Sequence, residues 1–123
     1  IWAFALTEPN SGSDSRNSIT KAEDIGEYWK INGSKTFITN GNTSITRGVT
    51  LQTVTGINNG KKEFSTIIVE KGTKGFSAET IHDKMMWRAT NTSQLYFNDC
   101  LVPKENILGS KGNGSKIMLK SLL

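Results

Sequence analysis

Two short stretches carry residue types that could bind or activate a ligand. The first is Phe4–Ser15, "FALTEPNSGSDS", in which an apolar run to Thr7 meets a carboxylate, a proline and a polar loop. Ser11, Ser13 and Ser15 surround Gly12 and Asp14 there, and Pro9 stiffens the exit from the strand. Hairpin connections take about two to five residues, so this loop is longer than a chain reversal requires. Hydroxyls and exposed N–H groups beside a glycine can cradle an anion or the polar edge of a heterocycle. An ordinary Ser-rich and Asx-rich connector has the same composition. The second stretch is "KTFITNG", residues 35–41, where alternation places Phe37 and Thr39 on one strand face and Ile38 on the other. A ring beside a hydroxyl suits a flat polar ligand. A core Phe with a surface Thr is the plainer reading.

The elements that must position these residues read as strands. "SITKAED", "EYWKING" and "KTFIT" alternate, "GVTLQTVTG" is β-branched with period two, and "EFSTIIVEK" has an apolar centre at Ile67–Val69. "GFSAETI" and "SQLYFNDCLVP" add two more. Asn32-Gly33 predicts a two-residue hairpin, "NGN" at 40–42 a second turn, and "INNGKKE" a polar hairpin tip. About seven strands at roughly 8–12-residue spacing predict an all-β fold, an antiparallel barrel or sandwich. Only "SKIMLKSLL" carries a helical apolar face, with Gly112, Asn113 and Gly114 as a flexible entrance.

Composition agrees. The 123 residues suffice for one domain, and 35% hydrophobic content with 12 glycines favours short strands over a helix bundle. No apolar run reaches the ~20 residues of a membrane span, and no signal-peptide pattern is present. The single cysteine, Cys100, excludes an internal disulfide and a cysteine-based metal cluster. It reads as a small semi-apolar residue near a strand end. His82 is the only histidine, and nothing around it suggests catalysis. The charge of +4 suits phosphate-bearing partners in general. The chain lacks an initial methionine and stops inside an apolar pattern, which suggests a piece of a longer protein.

Ala5–Asp14, "ALTEPNSGSD", resembles the signature of the acyl-CoA dehydrogenase family, with Asn17 standing where a small residue is usual. "KTFITNG" is similar to that family's second flavin-contacting strand. "KMMWRATNTSQLYFNDCLVPKENILG" is similar to its later blocks, in the same order. The resemblance implies the middle β-domain over residues 1–108, and a crossing into a C-terminal helical domain over 109–123, with Ser115 where Phe is usual. It implies FAD as cofactor, held by Phe4, Leu6, Thr7 and Ser13 from the first stretch and by Phe37, Ile38 and Thr39 from the second. It implies an acyl-CoA substrate meeting Ser13 and Lys61, with the catalytic base in the C-terminal domain rather than among the glutamates here. Met85, Met86 and Trp87 read as packing residues, and Arg88 as an ion-pair partner. The family's partners would be electron-transfer flavoprotein or another acceptor, with no nucleic acid, no membrane and no metal. A homo-oligomer, often a tetramer, in the cytoplasm or an organelle matrix would follow.

Three other readings stay open on the sequence. One is the β-domain of an acyl-CoA oxidase or flavin monooxygenase. Another is a barrel binding single-stranded nucleic acid, although the aromatics are not interleaved with the lysines as such grooves require. The third is a structural domain without a cofactor.

Overall fold

Burial alternates along much of Tyr28–Thr39, Phe76–Thr80 and Thr92–Pro103 but runs unbroken through the centres of the β-branched segments Gly48–Asn58 and Lys61–Glu70. A computed structural model describes residues 1–123. In chain order it contains β1 (Trp2–Ala5), β2 (Lys21–Asp24), β3 (Tyr28–Thr39), β4 (Gly48–Asn58), β5 (Lys61–Glu70), β6 (Phe76–Thr80), β7 (Thr92–Pro103), β8 (Ile107–Leu108) and α1 (Gly114–Lys120). The strands form one open mixed sheet ordered β6-β7-β3-β2-β4-β5-β8, with β1 beside β4. Most pairings are antiparallel, as expected. β1 and β2 instead meet β4 in parallel: the 6–20 connection brings β2 in along the direction of β1, and β3, antiparallel to β2, is followed by the 40–47 connection that returns the chain beside both. Helix is confined to α1 and two short 3₁₀ turns.

The inner face closes over one core. Ala3 and Ala5 of β1, Trp29, Ile31 and Ile38 of β3, and Val49 and Leu51 of β4 meet Ile67, Val69, Leu95, Phe97 and Val102 there. Fully burying an Ile or Leu side chain contributes about 1.5–3 kcal/mol relative to exposure, so this cluster dominates the stability of the sheet. Phe76 and Phe97 stack across β6 and β7 with ring centroids 4.9 Å apart. Cys100 lies wholly inside the core, and burial pushes its thiol up to about 11. It should therefore resist thiol reagents at neutral pH until the protein is denatured. Rapid labelling of the native chain would contradict that burial.

Four local expectations change. Asn32-Gly33 makes no hairpin, and β3 runs straight through it with a register shift against β7 between Ile31 and Gly33. Gly33 has φ +144°, and a Cβ there would lie 2.6 Å from Thr20 Oγ1. The glycine thus serves a bulge over which the chain passes closely, which is a tertiary demand rather than a turn. The entrance to α1 is pinned rather than flexible. Gly112 N–H donates to Ser65 Oγ at 3.0 Å, and a Cβ on Gly114 would lie 2.5 Å from the Ser65 carbonyl carbon. Met85, Met86 and Trp87 do not pack, since the β6–β7 loop turns them outward and leaves Met85 95% exposed. Lys84 shapes this loop by donating to the Trp87 and Thr90 carbonyls and to Thr92 Oγ1. Arg88 is exposed there and takes part in none of the four ion pairs.

Candidate cofactor site

β3 delivers the second stretch through a strained bulge. Its register against β7 slips between Lys35 and Ile38, so Lys35 and Thr36 are both buried in succession. Phe37 follows with φ +57°, a conformation that an aromatic L-residue rarely adopts, and its ring is 67% exposed. Such strain persists only where the surroundings enforce it, and it clusters at functional sites. Thr39 is exposed as well, while Ile38 is buried in the core. Phe37 and Thr39 therefore share the outer face, and Ile38 can offer a ligand only its backbone.

The first stretch lies directly against this bulge. β1 ends at Ala5, and the half-buried Leu6 and Thr7 continue it. Thr36 N–H donates to the Thr7 carbonyl at 2.9 Å, and Lys35 Nζ donates to the Leu6 carbonyl at 3.1 Å. Phe4 is half-buried on β1, paired in register with Thr50. The loop beyond is internally braced. Glu8 and Ser11 exchange backbone hydrogen bonds, Ser11 Oγ donates to the Asp14 carbonyl at 2.6 Å, and a 3₁₀ turn spans Ser15–Asn17. Ser13 stands exposed at its crest.

Beneath the loop lies an ion pair with no solvent exposure on either side chain. Lys35 Nζ donates to Glu8 Oε1 at 2.8 Å. Glu8 Oε2 also accepts from Ile19 N–H at 2.8 Å, and Oε1 from Thr20 N–H at 3.1 Å. Burial pushes the Glu8 carboxyl up, but the Lys35 charge and the hydrogen bonds from Ile19, Lys35 and Thr20 outweigh it. The net direction is below the usual carboxylate range. Burial draws the Lys35 ammonium below its ordinary value against the pull of Glu8. N–H donors aimed at the carboxylate favour the ionised pair.

On the far side of the loop an open cleft of about 950 Å³ separates it from the β4–β5 turn and the approach to α1. Arg16, Lys61, Lys62 and Lys111 line it together with Asp14 and Glu63. Lys111 reaches Glu63 at 3.9 Å, and Lys62 donates to the Ser18 carbonyl at 2.8 Å. Arg16 and Lys61 join no ion pair, so the cleft keeps cationic capacity for an anion. Lys61 and the residue after Ser13 thus line the same cleft, which the sequence spacing alone did not show. Glu8, Lys35 and Arg16 join the site here without any sequence motif that marks them as ligand contacts. For the first two the sequence offers only a lysine within one apolar strand and a glutamate just after another.

The fold and these residues have known counterparts. Residues 3–100 match the family model described as acyl-CoA dehydrogenase, middle domain. The short-chain specific acyl-CoA dehydrogenase of Clostridium acetobutylicum is 43% identical over 122 residues, covering 99% of this chain and 32% of the relative. The acryloyl-CoA reductase (NADH) of Anaerotignum propionicum is 44% identical over 126 residues, covering 99% of this chain and 31% of that protein. The structure of butyryl-CoA dehydrogenase from Megasphaera elsdenii superposes with a TM-score of 0.90 at 37% identity, over 99% of this chain and 32% of that one. This chain spans about a third of the length of the curated relatives it matches.

Proposed function

This chain belongs to the acyl-CoA dehydrogenase family, and we propose that it forms one wall of an FAD and acyl-CoA site in an enzyme that dehydrogenates an acyl-CoA thioester at its α and β carbons. The observation that carries this reading is the bulge that turns Phe37 out beside Thr39, hydrogen-bonded through Thr36 to the Leu6–Thr7 edge. An exposed ring in a strained conformation is a surface waiting for a flat partner. The residues present therefore fit the isoalloxazine. Phe37 would stack near it, the Thr39 hydroxyl would reach its polar edge, and Phe4, Leu6, Thr7 and the Ile38 backbone would frame the other side. Ser13 at the loop crest would face both the pyrophosphate and the pantetheine arm. Lys61 and Arg16, with no carboxylate partner, would meet the phosphates of the coenzyme A nucleotide. Bound FAD supplies the two-electron acceptor chemistry of the reaction.

What this chain's own groups do is bind and orient. A donor at the flavin's polar edge stabilises negative charge there, which is how a protein tunes such a ring. No glutamate here is assigned as the base. Glu8 is locked in its ion pair, and the base belongs to the helical domain that follows in the family. We take residues 1–108 as the middle domain and 109–123, including α1, as the crossing toward that domain. An electron-transferring flavoprotein is the proposed acceptor, and a homo-oligomer in the cytoplasm or an organelle matrix the proposed setting. No helix is long and apolar enough to cross a membrane.

In the full-length protein, Thr39→Val should leave folding intact and weaken flavin binding or shift its potential by about 0.5–1.5 kcal/mol, one neutral hydrogen bond. Unchanged affinity, potential and absorption spectrum would remove Thr39 from the site. The 44% identity to a reductase favours one second reading, reduction of a 2-enoyl thioester on the same wall. Assays with a saturated thioester, and with an enoyl thioester plus NADH, separate the two directions.

A further inference from the structure

One buried carboxylate joins three separate segments at the site. Glu8 lies at the start of the loop, and its oxygens accept from Ile19 and Thr20 at the loop's end and from Lys35 on β3. The Thr20 hydroxyl in turn donates to the Ser34 carbonyl at 3.1 Å, beside Lys35. Both ends of the Pro9–Ser18 loop therefore close on a single side chain, anchored to the strand that carries Phe37. Lys35 is also the last residue in register before the bulge, and its ammonium holds the Leu6 carbonyl as well as Glu8.

We propose that the Glu8–Lys35 pair is a positioning device that sets the Leu6–Thr7 edge against the Phe37–Thr39 bulge and thereby tunes the affinity and potential of the flavin held between them. The inference rests on the flavin reading given above. Its physical basis is that a buried ion pair is a weak source of net stability but a demanding geometric constraint. A charge removed from water must keep its partners, so each donor around Glu8 is confined to hydrogen-bond distance. An apolar pair of the same volume would fill the space without fixing the distance between Leu6 and Lys35. Neither side chain reaches the ligand face, since both are fully buried, so they act through Leu6, Thr7 and the bulge. They are positioning residues, not catalytic ones.

The test uses the full-length flavoprotein and the double variant Glu8→Gln/Lys35→Met, which removes both charges while leaving an acceptor for Ile19 and Thr20. The expected result is a folded protein with about tenfold weaker FAD binding, a moved flavin absorption band and a shifted potential, tenfold being about 1.4 kcal/mol. Val69→Ala, a core substitution on β5, controls for general loss of stability and should leave the band and potential in place. If the double variant does not fold, Glu8→Asp keeps the charge but draws it back by one methylene, and a smaller shift in the same direction is expected. A folded variant with wild-type affinity, band and potential overturns the proposal. So does an equal change in Val69→Ala. A full-length protein that binds no FAD, or one in which Thr39→Val has no effect while the pair variants do, would instead count against the flavin reading or its assignment of Thr39.

Discussion

Lys35→Met alone should cost the domain about 3–5 kcal/mol, because it leaves the Glu8 carboxylate buried without its counter-charge. Small domains are stable by only ~5–15 kcal/mol, so a large share of the total would go. Glu8→Gln alone should behave similarly, leaving the Lys35 ammonium buried with neutral acceptors only, the Leu6 carbonyl and the Gln amide oxygen, and no counter-charge. The double variant should recover most of either loss, since neither charge is then uncompensated. Urea denaturation of the four proteins measures the coupling directly. Additive single-site effects below about 1 kcal/mol would mean that the pair is hydrated and contributes as little as a surface bridge.

The same pair sets an acid limb. In the folded chain Glu8 titrates below its ordinary value of 4.5. The unfolded chain therefore binds the proton first as pH falls. The contribution of Glu8 is fully present above about 4.5 and is lost as pH descends through the folded value. Lys35→Met should flatten that limb, because the charge that lowers the carboxyl is gone.

How much of this was legible depended on whether a signal was local. β5 was readable from its apolar centre at Ile67–Val69, with Asn59-Gly60 closing the hairpin before it, and β4 because Val and Thr recur with period two. The outward pairing of Phe37 with Thr39 was readable for the same reason, although the bulge beneath it was not. Asn32-Gly33 misled because one dipeptide serves both a turn and a bulge. Thr20, packed on Gly33 from another part of the chain, decides between them. Met85, Met86 and Trp87 misled because apolar character says nothing about which surface a side chain will meet. The Glu8–Lys35 pair spans 27 residues, and no spacing rule links a carboxylate after one strand to a lysine inside another. The parallel placement of β1 and β2 beside β4 likewise depends on which strands the intervening chain brings together, which alternation does not encode.

The 123-residue chain by itself should bind FAD weakly or not at all and show no dehydrogenase activity. Phe37 is two-thirds exposed, so a ring laid against it would touch protein on one face and water on the other. Ligand pockets normally enclose ~70–90% of a ligand's surface, and a single wall forfeits much of that burial. Hydrogen bonds from Ser13 and Thr39 would each contribute only about 1 kcal/mol net against water. Arg16 and Lys61 line the cleft assigned to the coenzyme A phosphates and are exposed, so what they add to FAD binding is weakened by screening at physiological salt. Against these gains stands a loss of at least ~4 kcal/mol in translational and rotational freedom. Calorimetric titration of the chain with FAD decides the matter, with millimolar or undetectable binding as the expected outcome. Submicromolar binding, or flavin carried through purification, would show that the sheet holds a complete site and that Phe37 is one side of an enclosed pocket rather than an open wall.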